Sequence, residues 1–214
     1  MGPVSGIQKT HWEALYKQKQ PHEVSWYTPH LELSLRLFAK AGVQHDSRVI
    51  DVGAGASTLV DDLIDKGVKD VTVLDISGEA LAVSKARLGG RADRIHWIEA
   101  DITHAQLPEE HYDIWHDRAV FHFLTTAEDR RRYMATLREA LKPGGHVILA
   151  TFTLQGPPRC SGLDVVRYSH ETLHAELGGG FRLIEACNEA HRTPANAVQQ
   201  FMYCLFQKPS SDPA

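Results

Sequence analysis

Short apolar runs alternate with longer amphipathic stretches along the chain, and this pattern predicts a repeating strand–helix order. Runs with the length and content of buried strands occupy residues 48–52, 71–75, 95–98, 112–116 and 146–152. Apolar residues recur at helical spacing near residues 10–19, 29–41, 59–64, 78–88, 127–141 and 169–177. Two more strands are predicted near residues 181–188 and 199–206, as a hairpin with a long connection.

Strand–helix alternation at this spacing is typical of βαβ units. It predicts an α/β, Rossmann-like fold with a mostly parallel sheet and helices on both faces. Sheets of this kind bind ligands at the carboxyl ends of their strands, near the topological switch point. The residues that directly follow each strand are therefore the first candidates for a site.

Composition narrows the class of protein. The 214 residues suffice for one sizeable domain. The 23 Lys and Arg against 27 Asp and Glu give a net charge of −4. Because nucleic-acid-binding proteins usually carry a basic surface, no nucleic-acid partner is expected. The apolar runs are too short for a membrane span. Three cysteines without a CxxC pair indicate a reducing, cytoplasmic location, and no cluster has metal-ligand spacing, so no metal site is expected.

The turn after the first strand carries the clearest chemical pattern. Asp51, Gly53 and Gly55 stand there, and glycines allow the backbone to approach a ligand closely. Asp75 ends the next strand, where a carboxylate is placed to accept hydrogen bonds from a ribose diol. Thr58 occupies the third glycine position of a dinucleotide fingerprint, and Asp51 would repel a pyrophosphate. The pattern favours S-adenosylmethionine (SAM), which is cationic and lacks phosphate, over NAD; a turn without ligand is the simpler alternative.

Ordered motifs over residues 10–206 resemble those of class I SAM-dependent methyltransferases, in particular the small bacterial type. The glycine motif is VIDVGAGAS (49–57), with Ser57 at the usual third glycine, followed by VLDIS (73–77) and EADI (99–102). YDIWHDRAVFHF (112–123) resembles the fourth motif, and LKPGGHVILATF (141–152) resembles the segment leading into strand five. The resemblance implies a seven-stranded sheet whose last strand is antiparallel.

The resemblance also implies roles for individual residues. Asp75 binds the ribose hydroxyls with Ile76 beside it, Asp101 accepts a hydrogen bond from the adenine amino group, and Ile102 packs on the ring. Asp117 follows the fourth strand, where the family often has a polar residue facing the methyl group. The predicted cofactor-binding residues are therefore Trp26, Asp51, Gly53, Gly55, Asp75, Ile76, Asp101, Ile102 and Asp117.

The N-terminal stretch resembles a segment that folds over the cofactor. We predict a lid over residues 1–28, a SAM-binding domain over 29–208 and a flexible tail over 209–214. The aromatic residues of this lid are Trp12, Tyr16, Trp26 and Tyr27. They are predicted either to line the methionine end of SAM or to anchor the first helix to the core, and the anchoring role is favoured for Trp12 and Tyr16.

Candidates for the methyl-transfer chemistry follow the fourth and fifth strands. Asp117, Arg118 and His122 are the predicted catalytic residues, although His122 lies among apolar residues, which favours a packed core histidine. The long loop after strand five and the later connection supply predicted substrate contacts, together with Tyr27 of the lid: Arg159, Cys160, Arg167, Tyr168 and His191.

These observations predict an enzyme that methylates a small-molecule nucleophile, acting as a monomer or weak dimer. No dedicated base is evident, which favours a thiol or chalcogenide, since a thiolate needs little more than positioning. The principal alternative is a protein-lysine N-methyltransferase. A less favoured one is an NAD(P)-binding oxidoreductase.

Overall fold

The computed structural model describes residues 4–210, with side chains from Lys9 onward. The first three residues of the predicted lid and residues 211–214 of the predicted tail lie outside this range. Within it, no helix is long and apolar enough to cross a lipid bilayer.

The described part of the chain contains nine strands, of which seven form the main sheet. In chain order the nine strands are β1 (Arg48–Val52), β2 (Asp70–Asp75), β3 (Ile95–Glu99), β4 (Tyr112–Arg118), β5 (Leu141–Phe152), β6 (Arg159–Cys160), β7 (Leu163–Asp164), β8 (Arg182–Arg192) and β9 (Val198–Gln207). The sheet order is β3-β2-β1-β4-β5-β9-β8, and β6 pairs with β7 in a separate hairpin. Strands β1 to β5 are parallel, whereas β9 is antiparallel to both its neighbours, as predicted.

Helices cover both faces of this sheet, because successive side chains of each strand point to opposite faces. The helices are α1 (Val4–Gln18), α2 (Glu32–Lys40), α3 (Leu59–Asp65), α4 (Gly78–Leu88), α5 (Ala127–Ala140) and α6 (His170–Leu177). Val49 packs in a core with residues of α2, α3 and α4, whereas the adjacent Ile50 packs in a second core with residues of α5 and α6. The predicted Rossmann-like architecture is confirmed.

Three boundaries differ from the sequence prediction. The Lys-Pro-Gly-Gly segment does not separate α5 from the fifth strand, since β5 begins at Leu141, which pairs with Tyr112 ahead of a register irregularity. The closing hairpin is longer than predicted, and residues 193–197 connect β8 to β9 through a turn with Asn196 at φ 65°. The loop after β5 also contains the β6–β7 hairpin, and its end returns to the sheet where Tyr168 bridges to Thr153.

Candidate cofactor and substrate site

A cavity lies at the carboxyl ends of β1, β2, β3 and β4. Its volume is about 1170 Å³ when its opening to solvent is included, and ligand pockets typically measure ~300–1,000 Å³. The residues after these strands form its floor, and α1 together with the segment that joins α1 to α2 forms its opposite wall. This is the position at which parallel α/β sheets bind ligands.

The glycine turn between β1 and α3 forms one side of the cavity. Gly53 and Gly55 have φ values of 64° and 55°, in the left-handed region that favours glycine. A Cβ on Gly53 would lie 1.8 Å from Cγ2 of Val120, and one on Gly55 would lie 2.3 Å from the Tyr16 hydroxyl. Both glycines are therefore required by the backbone conformation and by the close approach of neighbouring side chains.

Asp75 lies where β2 ends and lines the same cavity. Its carboxylate accepts backbone N–H bonds from Gly55 at 2.7 Å and from Ser77 at 2.8 Å, which ties the glycine turn to the second strand. Burial raises the pKa of Asp75 to about 6, the Asp51 charge adds to the rise, and the two backbone N–H groups oppose it. The carboxylate is thus held rigidly and partly desolvated.

Asp51 is not an isolated acidic group. Its Oδ1 lies 2.7 Å from Nδ1 of His116, and Nε2 of that imidazole lies 2.9 Å from Oγ of Ser34. Asp51 and His116 also line the cavity. Sequence reasoning did not select Ser34 or His116 as site residues, because their meeting depends on the pairing of β1 with β4 and on the position of α2.

The third strand contributes a further carboxylate. Asp101 and Ile102 line the cavity after β3, as does Ile76 after β2. Oδ1 of Asp101 accepts hydrogen bonds from the backbone N–H of Thr103 at 2.9 Å and from its hydroxyl at 2.7 Å. These bonds fix the Asp101 side chain at the cavity edge.

All four predicted lid aromatics, Trp12, Tyr16, Trp26 and Tyr27, line the cavity. The Trp12 ring makes edge-on contacts with Trp26 at 5.7 Å and with Phe123 at 5.2 Å between ring centroids. Trp12 therefore packs α1 against Trp26 and the turn that follows β4, and it also faces the cavity.

The predicted catalytic residues separate in the structure. Asp117 is fully buried and does not line the cavity; its carboxylate accepts hydrogen bonds from the backbone of Val120 and from the Tyr133 hydroxyl at 2.6 Å. Burial raises its pKa to about 6. His122 is also fully buried and does not line the cavity. Nδ1 of His122 accepts the backbone N–H of Phe152 at 3.4 Å. Burial lowers the pKa of this imidazole to about 3.

Arg118 does line the cavity and connects three elements. Its Nε donates to the Tyr203 hydroxyl at 2.7 Å, and its Nη1 donates to the Trp26 carbonyl at 3.0 Å. The guanidinium lies 4.6 Å from the centroid of the Phe201 ring, and Nη2 lies 3.8 Å from a Glu189 carboxylate oxygen. Nη2 is buried without a hydrogen-bond acceptor among the described residues.

The predicted substrate residues also divide. Tyr27 and Cys160 line the cavity, whereas the remaining four do not. Arg159 forms an exposed ion pair with Asp164 within the β6–β7 hairpin. Arg167 donates hydrogen bonds to the carbonyls of Leu154 and Gly156.

Tyr168 and His191 lie behind the cavity wall instead. Tyr168 is buried in the core next to α6. Nε2 of His191 lies 2.8 Å from the carbonyl oxygen of Ser25, which belongs to the segment that joins α1 to α2 but does not itself line the cavity. Arg159 and Arg167, the two arginines among the predicted substrate contacts, therefore do not reach the cavity, because both are engaged within their own loop.

The donor and acceptor set of the cavity fits a cationic, hydroxyl-bearing ligand. Asp51 and Asp75 lie at the carboxyl ends of β1 and β2, and Asp101 follows β3. The glycine turn carries no Lys or Arg that would neutralise a pyrophosphate. Ile76 and Ile102 provide apolar surface beside these carboxylates. Within residues 4–210, no group of three or more His, Cys, Asp or Glu side chains is arranged to hold a metal ion.

Comparison with known proteins identifies the type of domain. Residues 49–145 match a family model described as a methyltransferase domain. An eEF1A lysine and N-terminal methyltransferase of Bos taurus is 26% identical over 149 residues, which cover 64% of this chain and 20% of that protein. The ubiquinone/menaquinone biosynthesis C-methyltransferase UbiE of Ectopseudomonas mendocina is 29% identical over 142 residues, covering 64% of this chain and 54% of the relative. The chain thus spans about a fifth and about half of these two relatives.

Solved structures share the fold over nearly the whole chain. The Burkholderia thailandensis 1,6-didemethyltoxoflavin-N1-methyltransferase, with bound 1,6-didemethyltoxoflavin and S-adenosylhomocysteine (SAH), superposes with a TM-score of 0.76 at 18% identity. The match covers 96% of this chain and 89% of that structure. The fold similarity therefore extends beyond the segment matched by the family model.

Proposed function

We propose, from the premise that the chain carries a class I SAM-dependent methyltransferase domain, that the protein methylates a small-molecule nucleophile. The observation that carries this proposal is the convergence of Asp51, Asp75 and Asp101 around a glycine turn, in one cavity walled by Trp26 and Tyr27. A cavity walled by aromatic side chains suits a small acceptor that must be held in one orientation for methyl transfer.

Each carboxylate has a distinct task in this proposal. Asp75 binds the ribose hydroxyls, because its carboxylate is already oriented by Gly55 and Ser77. Asp101 accepts from the adenine amino group, and Asp51 faces the cationic methionine end. When bound, SAM supplies a methyl group on a positively charged sulfur, and its transfer leaves SAH.

The acceptor is proposed to bind between Arg118, Cys160 and the lid aromatics. Both nitrogens of His116 are engaged by Asp51 and Ser34, so this imidazole is not a free base for an incoming hydroxyl or amine. A thiol or chalcogenide is therefore preferred, since its anion is favoured by the Arg118 guanidinium and needs no separate base. Burial raises the pKa of the Cys160 thiol to about 11, which keeps this side chain neutral beside the acceptor.

Ligand-dependent thermal unfolding tests the cofactor assignment. A ligand at 100 times its Kd adds ~2.7 kcal/mol to the free energy of unfolding, so SAM and SAH should raise the melting temperature by several degrees. NAD and NADH should leave it unchanged. Stabilisation by NADH without stabilisation by SAH would refute the proposal.

Turnover with a panel of thiols, selenols, phenols, amines and carboxylates tests the acceptor class. We expect SAH release with thiols or selenols, and activity confined to amines or phenols would exclude the preferred class. Arg118→Met should reduce turnover of an anionic acceptor more than tenfold while SAH affinity changes less. Arg159→Met, which alters an exposed ion pair outside the cavity, is the matched control.

A protein lysine is the second candidate acceptor, and the similarity to the bovine eEF1A lysine and N-terminal methyltransferase favours it. This acceptor would require the lid to open, since a polypeptide chain must reach the cavity past Trp26. Transfer of a radioactive methyl group to a purified elongation factor, in the absence of transfer to the thiol panel, would select this candidate.

A further inference from the structure

Ser34, His116 and Asp51 form a linear chain of hydrogen bonds beneath the cavity. The distances are 2.9 Å from Ser34 Oγ to His116 Nε2 and 2.7 Å from His116 Nδ1 to Asp51 Oδ1. The exposed fractions of Ser34, His116 and Asp51 are 0%, 1% and 3%, so bulk water does not replace either bond.

Three elements place these groups. Asp51 and His116 are register partners on the neighbouring parallel strands β1 and β4, which puts their side chains on the same face of the sheet. Ser34 approaches from α2, and Phe38 of the same helix packs against the imidazole with 5.5 Å between ring centroids. The ring is therefore restrained in its plane by two hydrogen bonds and on one side by an aromatic neighbour.

The order Ser–His–Asp is that of a hydrolase triad, but the exposure argues against nucleophilic catalysis. Ser34 is fully buried within α2 and does not line the cavity, so its Oγ has no access to a substrate. Only Asp51 and His116 reach the cavity. The chain of hydrogen bonds therefore ends at the Asp51 carboxylate, and it acts on the cavity by orienting this carboxylate.

We propose that His116, oriented by Ser34, is a positioning residue that holds Asp51 for the cationic methionine end of SAM. The Ser34 hydroxyl donates to Nε2, which fixes the neutral imidazole with its proton on Nδ1, and that N–H donates to Oδ1 of Asp51. Asp51 is thus held through Oδ1, and Oδ2 is left for the ligand. This inference rests on the proposed function and adds two residues to it.

Two substitutions of His116 separate positioning from packing. The amide nitrogen of Asn falls near the place of Nδ1, whereas that of Gln falls near Nε2. His116→Asn retains a donor to Asp51, and we expect SAH affinity within about threefold of the wild-type protein. His116→Gln loses this donor, and we expect SAH affinity at least tenfold weaker. Ser34→Ala, which leaves the imidazole free to reorient, should weaken SAH binding about threefold.

Isothermal titration with SAH, below the unfolding transitions of all variants, measures these effects. His174→Asn is the control, because it removes a 2.7 Å contact between His174 Nε2 and the Phe181 carbonyl far from the cavity. We expect it to lower the melting temperature without changing SAH affinity. Asp51→Asn should weaken SAH binding, and adding His116→Gln should weaken it no further. Equal SAH affinity of wild-type protein and His116→Gln would overturn the inference.

Nitrogen-15 NMR of the ligand-free protein gives a readout independent of ligand binding. We expect the His116 ring to carry its proton on Nδ1 and to have an unprotonated Nε2 near neutral pH. A proton on Nε2 alone, or on both nitrogens, would overturn the inference. If wild-type protein does not bind SAH at all, the proposed function fails; if it binds SAH and the His116 variants are indistinguishable, only the positioning role fails.

Discussion

Asp75 and Asp117 are two buried carboxylates with similar pKa shifts and different surroundings. Burial raises the pKa of both to about 6, but Asp75 lines the cavity whereas Asp117 is enclosed by Tyr133 and the backbone that follows β4. A raised pKa means that ionisation opposes folding. The contribution of each group to stability is therefore largest below about pH 4 and is lost as the pH rises through about 6.

The position of Asp75 predicts a pH-dependent affinity for SAH. Ribose hydroxyls donate to the ionised carboxylate, so binding favours the deprotonated form. Below pH 6, SAH affinity should fall about tenfold per pH unit, and above pH 7 it should be constant. Titration calorimetry from pH 5 to 8 measures this. Asp75→Asn should bind weakly with a flat profile, and a flat profile for the wild-type protein would contradict the assignment.

Gly53 offers a steric test of the turn. Gly53→Ala places a residue at positive φ and brings Cβ within 1.8 Å of Val120 Cγ2, whereas Gly162→Ala, at φ 81°, meets no atom within 4 Å. Backbone strain should lower the free energy of unfolding of both variants by ~1 kcal/mol. The clash with Val120 should lower that of Gly53→Ala further, and only this variant should bind SAH at least tenfold more weakly. Urea unfolding and calorimetry measure the two effects.

Removing the obstructing methyl groups provides a second-site check on Gly53. The double variant Gly53→Ala, Val120→Ala should recover part of the lost stability, because the atom in closest contact is then absent. If the double variant is no more stable than Gly53→Ala, the clash with Val120 is not the cause.

At the scale of elements, α1 is joined to the sheet through the start of α4. Glu13 accepts the backbone N–H of Gly78 at 2.8 Å and that of Glu79 at 3.4 Å. These are donors that a helix leaves unpaired in its first turn, and a negative charge there is favourable. The helix that carries Trp12 and Tyr16 is therefore docked by an intersegment cap as well as by aromatic contacts.

This cap predicts the effect of Glu13→Ala. We expect a loss of ~1 kcal/mol in the free energy of unfolding and faster amide exchange throughout α1, because two N–H groups lose their acceptor. Lys17→Ala, which removes an exposed 3.3 Å ion pair with Glu79, should change stability by less. Hydrogen exchange measured by mass spectrometry compares the two variants, and equal effects would contradict a capping role for Glu13.

At the scale of the whole molecule, the cavity wall combines distant parts of the chain. Ser25 and Trp26 are held by His191 of β8 and Arg118 of β4, which keeps the segment that joins α1 to α2 along one wall of the cavity. The contact with His191 connects the segment that joins α1 to α2 with the edge strand β8. Ligand binding should therefore restrict the motion of this segment as well as that of the strand ends.

Hydrogen exchange with and without SAH tests this connection. Residues 19–31 and the glycine turn should become more protected when SAH is bound, because the lid and the turn form opposite walls of one cavity. The start of β8, residues 182–187, does not line the cavity and should keep its exchange rate. Protection of the glycine turn without protection of the lid would show that the lid is not part of the ligand site.

The sequence by itself determined the sheet, the glycine turn and the carboxylates at the ends of the first three strands. These features are local, since an apolar run, a required glycine and a strand-end acid each depend on a few adjacent residues. Tertiary structure decided which residues of β4 reach the cavity. Side chains alternate along a strand, so His116 and Arg118 face the cavity while Asp117 lies against Tyr133 on the opposite face. Strand register and helix placement, which are non-local, also brought Ser34 to His116 and the segment that joins α1 to α2 to the cavity wall.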